Sequence, residues 1–193
     1  MRKPSLRSES GQSILEFAIM MPVICVLALG VTEMGWALLD AHIVTRLARE
    51  GSNLISRDTS LQDAASAMQG MSTRPVDFTA GSKVIFSVIK NVATIGAANY
   101  GKPVLYERYE YGTFAGSSTL SSSGGTFGPA PDYTATNSDN DTSLQVTGLP
   151  PNVGTTLGGM VYVTEIYSPH ALITPFNAFG FSLPQSLYSI AYF

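Results

Sequence analysis

From Gly11 to Thr32 the chain is apolar apart from a few small polar side chains and one charge, Glu16. Wound as a helix at about 1.5 Å per residue, these 22 positions reach about 33 Å, enough to cross a hydrocarbon core about 30 Å thick. Polar residues follow, but no stop signal does. Trp36, Leu39, Ile43, Leu47 and Leu54 recur at three-, four- and seven-residue steps, which predicts that the helix continues with one apolar face. Arg46, Arg49 and Glu50 fall on the opposite, solvated face. Ser56–Thr59 breaks the pattern. Thr59 or Ser60 then caps a shorter helix, Leu61–Met71, ended by Arg74-Pro75.

Beyond Pro75 the period changes to that of strands. Val84–Val92 is β-branched and apolar, a buried strand. Pro103–Tyr111 partly alternates, with Leu105, Glu107, Tyr109 and Tyr111 on one side and charges on both, which fits an edge position. Gly158–Tyr167 alternates clearly and is stopped by Ser168-Pro169. Phe176, Phe179, Phe181 and Leu183 mark an apolar loop that packs back, and Ser186–Phe193 reads as a last strand. Between the second and third strands lies Gly112–Leu157, rich in Ser, Thr, Gly, Asn and Pro, without Lys or Arg. Such a segment buries too little surface by itself to offset its ordering entropy, so it reads as a long insertion with a short ordered piece at Leu144–Val146. Within it Asn137-Ser138-Asp139-Asn140-Asp141 hints at a calcium loop. The sixth and twelfth places of that pattern hold Thr142 and Gly148, not the required Gly and Glu, which favours a plain polar loop.

Helices first and strands later imply an α+β fold: a long N-terminal membrane-spanning and amphipathic helix packed on a small antiparallel sheet of about four strands. Trp36, Leu39, Ile43 and Leu47 are expected to meet Val84–Val92 and Val161–Ile166. The divisions expected are a leader at 1–11, a transmembrane helix at 12–33, its continuation at 34–56, and an exported domain at 57–193 with the insertion at about 112–157.

Composition adds orientation. The net charge is −3, yet Arg2, Lys3 and Arg7 against Glu9 make the first ten residues net +2. Basic residues before the apolar run and the acids Glu33 and Asp40 after it keep the N-terminus cytoplasmic and export the rest. An acidic remainder gives no reason to expect nucleic-acid binding. The one cysteine, Cys25, sits in the apolar run and allows no intramolecular disulfide. No phosphate loop, nucleophile elbow or His-Glu-x-x-His site occurs. His42 and His170 are the only histidines and no Cys or acid cluster accompanies them, so neither a catalytic nor a metal-binding role is expected, and no cofactor.

Three fates are open to the apolar start: an uncleaved anchor, a secretory signal cut after Ala28-Leu29-Gly30, or a leader cut before the helix. The second would discard the run that feeds the amphipathic continuation. The third fits G-Q-S-I-L-E-F, where a Gly is followed by Glu five residues on and then an aromatic, after a short basic leader. This arrangement resembles the site cut by prepilin peptidases, with cleavage between Gly11 and Gln12 and recognition by Glu16 and Phe17. An acid in a membrane helix costs roughly 2.5–3.5 kcal/mol at the helix centre, less near the interface, so Glu16 needs a partner. A local reading stands beside this: Ser13 as N-cap with Glu16 three residues on forms a capping box. The two roles are compatible. Pro22, inside the run, is expected to kink or loosen the helix.

G-Q-S-I-L-E-F-A-I-M-M-P-V-I, Glu33 at the end of the apolar run and the downstream L-A-R-E-G-S together resemble the N-terminal region of TadE-like proteins. V-Y-V-T-E-I-Y and the final L-Y-S-I-A-Y-F resemble their C-terminal part less specifically. The resemblance implies a minor pseudopilin of the tight-adherence (Flp, type IVc) pilus system, in the bacterial inner membrane. Its partners would be a prepilin peptidase, the major pilin and other minor pseudopilins, the inner-membrane assembly platform and the lipid bilayer. Glu16 would meet the new N-terminal amine of a neighbouring subunit. The alternative is a tethered or secreted binding module whose insertion faces a ligand.

Overall fold

A strand that is apolar on both faces needs a covering layer on each side, and Lys83–Asn91 is such a strand. The computed structural model describes residues 10–120, 124–151, 153, 156–174 and 184–193. Its elements are α1 (Ser10–Ile55), α2 (Leu61–Met71), β1 (Lys83–Asn91), β2 (Pro103–Gly112), a 3₁₀ turn η1 (Thr142–Leu144), β3 (Met160–Pro169) and β4 (Ser186–Tyr192). This is the α+β arrangement expected, with four antiparallel strands in the order β2-β1-β3-β4. β3 continues through Ser168 to Pro169 instead of stopping before them. Phe176, Phe179, Phe181 and Leu183 lie outside the described residues, as does most of the basic leader. By contact density the chain forms two units. One runs to Leu38 and takes up the chain again at Leu172; the other comprises Leu39–Ala171 and Pro184–Phe193.

In the second unit the last turns of α1 and the whole of α2 lie on one face of the sheet. Val44, Leu47, Ala48 and Ile55 of α1 and Leu61, Ala64, Ala65 and Met68 of α2 share a core with Val84, Phe86, Val88, Ile166 and Ala191. Ser60 caps α2, its hydroxyl accepting from the Asp63 N–H at 3.2 Å. The buried stripe of α1 is rotated from the one expected. Leu39 is exposed, Ile43 and Leu54 are only partly covered, and Gly51 and Ser52 are buried. The reason is a close approach that a small residue permits. A Cβ on Gly51 would stand 2.7 Å from Thr164 Cγ2 and 3.2 Å from Phe86. Beside it the Ser52 hydroxyl donates to the Ala191 carbonyl of β4 at 2.9 Å. A search for large apolar side chains passes over both positions.

The opposite face is covered by the insertion. It follows the irregular path its composition predicts, with η1 and Val146 as the ordered piece, but it is also a packed layer. Leu120, Ala135, Leu144 and Val146 bury themselves with Ile89, Val92, Val104, Leu105, Val161 and Val163. Gly125 has φ +118°, and a Cβ there would stand 2.1 Å from Leu144 Cδ2, so the chain crosses that leucine at a point only glycine occupies without strain. The insertion also closes the outer edge of β2: Ala135 N–H donates to the Tyr106 carbonyl at 2.7 Å and Val146 N–H to that of Pro103 at 3.0 Å. A register shift in the β1–β2 pairing resets the alternation expected for β2. Val104 and Leu105 both join the insertion-side core, while Tyr106, Tyr109 and Tyr111 pack against the helix-side one.

Glu165, in the middle of β3, fixes the insertion to the sheet. It is completely buried. The Thr119 N–H and hydroxyl donate to Oε1 at 2.8 and 2.7 Å, the Tyr188 hydroxyl donates to Oε1 at 2.8 Å, and Ser118 Oγ donates to Oε2. Arg108 Nη2 donates to the same Ser118 hydroxyl at 2.9 Å. Burial pulls the Arg108 guanidinium below its ordinary value, and the charges of Glu165 and Glu110 oppose the shift. Two acids of the insertion itself have partners as well. Asp139 accepts from Thr94 Oγ1 at 2.6 Å and Lys90 Nζ at 3.2 Å, and Asp141 from the Ser143 N–H at 2.9 Å.

Candidate processing and assembly segment

Every residue from Gly11 to Leu29 is exposed, although more than half are large and apolar. A run of 18 residues with mean hydropathy 2.5 lies within it, none of it buried, so this helix is long and apolar enough to cross a membrane. A contiguous apolar surface of this extent marks contact with a membrane or with other protein.

The residues singled out for processing stand together at its start. α1 already includes Ser10, which puts Gly11 and Gln12 in its first turn. There the backbone N–H groups have no intrahelical acceptors and unwinding to reach the Gly11–Gln12 bond costs least. Space around Gly11 is open, with nothing within 4 Å of where a Cβ would be. The Gln12 side-chain amide donates to Glu16 Oε1 at 3.0 Å, across one turn. This replaces the capping box expected of Ser13 and Glu16: since the helix begins at Ser10, Ser13 lies inside it and cannot be its N-cap. Phe17 is 63% exposed. The helix continues through Pro22, whose missing N–H leaves the Ala18 carbonyl without its regular donor. Near the other end Thr32 Oγ1 donates back to the Ala28 carbonyl at 2.9 Å, so even this hydroxyl is satisfied within the helix.

Two acids to which sequence reading gave no partner, Glu33 and Asp40, have structural partners. Glu33, 4% exposed, belongs to the first unit. Its Oε2 accepts from the N–H of Ile173 at 3.2 Å, the N–H of Thr174 at 2.9 Å and the Thr174 hydroxyl at 2.6 Å. Asp40 belongs to the second unit, where its Oδ2 lies 2.8 Å from Nδ1 of His170, both side chains buried. Sequence reading missed this pair, because 130 residues of separation hid the partner. One signal was available. Asp40 lies four residues before Val44 and eight before Ala48, on the stripe that is buried. Among the described residues no group of three or more His, Cys, Asp or Glu gathers as a metal site would require.

An uncovered helix long and apolar enough to cross a membrane, leading into an α+β domain, defines the class of architecture. By comparison, residues 11–53 match the family model of TadE-like proteins, over the segment whose residues carry the resemblance. No curated protein and no solved structure matches it.

Proposed function

We propose that the chain is a minor pseudopilin, cut by a prepilin peptidase between Gly11 and Gln12 and retained in the inner membrane by its helix, that takes part in assembling a tight-adherence pilus for surface attachment. The observation that carries this reading is the coincidence, in one uncovered apolar helix, of the family match with Gly11, Gln12, Glu16 and Phe17 in its first two turns. Cleavage after Gly11 would free an amine at Gln12. An ammonium and a carboxylate attract strongly where water is scarce, which gives Glu16 a partner on an adjacent subunit in place of the Gln12 amide it holds here. The large apolar side chains on all sides of the helix then serve twice, facing lipid before assembly and neighbouring helices afterwards. Arg2, Lys3 and Arg7 hold the leader in the cytoplasm, and the α+β domain is exported. The chain performs no catalysis itself; the peptidase, the assembly platform and the major pilin are separate partners.

The test is the N-terminus of the protein isolated from membranes of its own host. A start at Gln12 supports the proposal, with loss of pili expected in a Glu16→Ala strain. A start at Met1 in a host with an active prepilin peptidase, or at Val31, would refute it and leave a tethered or a released binding module.

A further inference from the structure

The Glu33 carboxylate is positioned by helix length. From Gly11 to Glu33 the helix rises about 33 Å, against a hydrocarbon core of about 30 Å, so Glu33 stands where the span leaves the lipid. A carboxylate there is costly unless donors reach it. The donors are the two consecutive N–H groups of Ile173 and Thr174 and the Thr174 hydroxyl, between 2.6 and 3.2 Å from Oε2. While Thr174 is buried by this clasp, Ile173 is left 50% exposed. Val31, Met34 and Leu38, at three- and four-residue steps on α1, are exposed too. No charged residue lies between Glu33 and Asp40, and none follows Glu165. An exposed apolar side chain on an uncharged strap, at the exit of an apolar helix, suits the headgroup boundary better than open water.

We propose that Glu33 clasps the Ile173–Thr174 strap at the bilayer surface and seats Ile173 in the lipid interface, so that the chain has a second membrane contact beside its helix. The proposal rests on the reading of Gly11–Thr32 as the membrane span, and the test separates the two. The full chain, with its single tryptophan replaced (Trp36→Phe), is reconstituted in vesicles of phosphatidylethanolamine and phosphatidylglycerol. One tryptophan is then introduced, either by Val23→Trp or by Ile173→Trp. Val23 lies ten residues before Glu33, about 15 Å along the helix and so near the bilayer midplane. Emission is quenched with lipids brominated either near the headgroup or near the chain ends.

The tryptophan at 23 should be quenched most by deep bromines, and the one at 173 should be blue-shifted and quenched most by shallow ones. A quenched position 23 with an unquenched position 173 would overturn the strap proposal alone; a blue shift at 173 without bromine quenching would do the same and assign the site to a protein neighbour. If position 23 escapes every bromine, the span reading falls and the strap with it. Adding Glu33→Gln should weaken the quenching at 173; an unchanged depth would overturn the role of Glu33. Should Ile173→Trp not fold, a nitroxide on Ile173→Cys, with Cys25→Ala, reports the same depth.

Discussion

The two faces of the sheet are covered by opposite materials. On one, α1 and α2 bring a row of aliphatic side chains to Val84, Phe86 and Val88. On the other, a segment with few large apolar residues contributes Leu120, Ala135, Leu144 and Val146, and adds hydrogen bonds to a buried carboxylate. The comparison teaches that a covering layer need not be apolar overall. The sheet supplies most of the apolar surface on that side through Ile89, Val104, Leu105, Val161 and Val163. The segment has only to place a few side chains and satisfy its backbone. Burial of Glu165 is tolerable because each of its oxygens has donors. Those donors all come from the sheet and the insertion, which makes the carboxylate a specific tie between the two.

The largest expected effect comes from cutting that tie. Glu165→Ala leaves Arg108 buried without its compensating charge and strips Ser118, Thr119 and Tyr188 of their acceptor. Loss of one partner from a buried charged network costs about 3–5 kcal/mol, read as a fall in the urea midpoint of the full chain in detergent micelles. Proteolysis should then cut first within the insertion, with the helix-side core intact. Next come matched truncations. Phe86→Ala on the helix side should cost about 3–5 kcal/mol and Leu144→Ala on the insertion side about 2–5 kcal/mol. A cost near zero for Leu144→Ala would show that the insertion is a loop in solution and break the comparison.

Smaller effects test the two close approaches. Gly51→Ala drives a Cβ against Thr164 and should cost about 1–3 kcal/mol by overpacking, partly recovered by Thr164→Ser, which removes the Cγ2 it meets. Gly125→Ala should do likewise on the insertion side, where the Leu144 side chain must move. The mildest lever is pH. Burial raises the phenol of Tyr188 above its ordinary value, and the adjacent Glu165 adds to this; Tyr167 and Tyr192 are raised for the same first reason. A raised folded-state value means that the folded protein holds its proton more tightly. The stability so gained is present below the ordinary phenol value of about 10 and is lost as pH rises beyond it. Absorbance titration should therefore show these tyrosines ionising late, with unfolding, and Tyr188→Phe should lessen the alkaline loss of stability.

Much of the architecture was legible because its signals are local. The apolar run, the capped Leu61–Met71 helix and the four strands each occupy a few consecutive residues whose period or branching is enough to assign them. The insertion's role was half legible. V-I-F-S-V-I in β1 is apolar on both faces, which demands a second cover, but composition averaged over Gly112–Leu157 conceals the four residues that provide it. The buried face of α1 was missed for a related reason: Gly51 and Ser52 are buried by what approaches them, and no hydrophobicity pattern marks a glycine as a contact.

The sequence by itself determined the long apolar run and the order of helices and strands, since each depends on neighbours a few residues apart. Only the tertiary structure decided where the acids Glu33, Asp40 and Glu165 find their partners, Thr174, His170 and Thr119. A buried charge accepts whichever donor the fold brings within 3 Å of it, and for these three that donor lies 46 to 141 residues away along the chain.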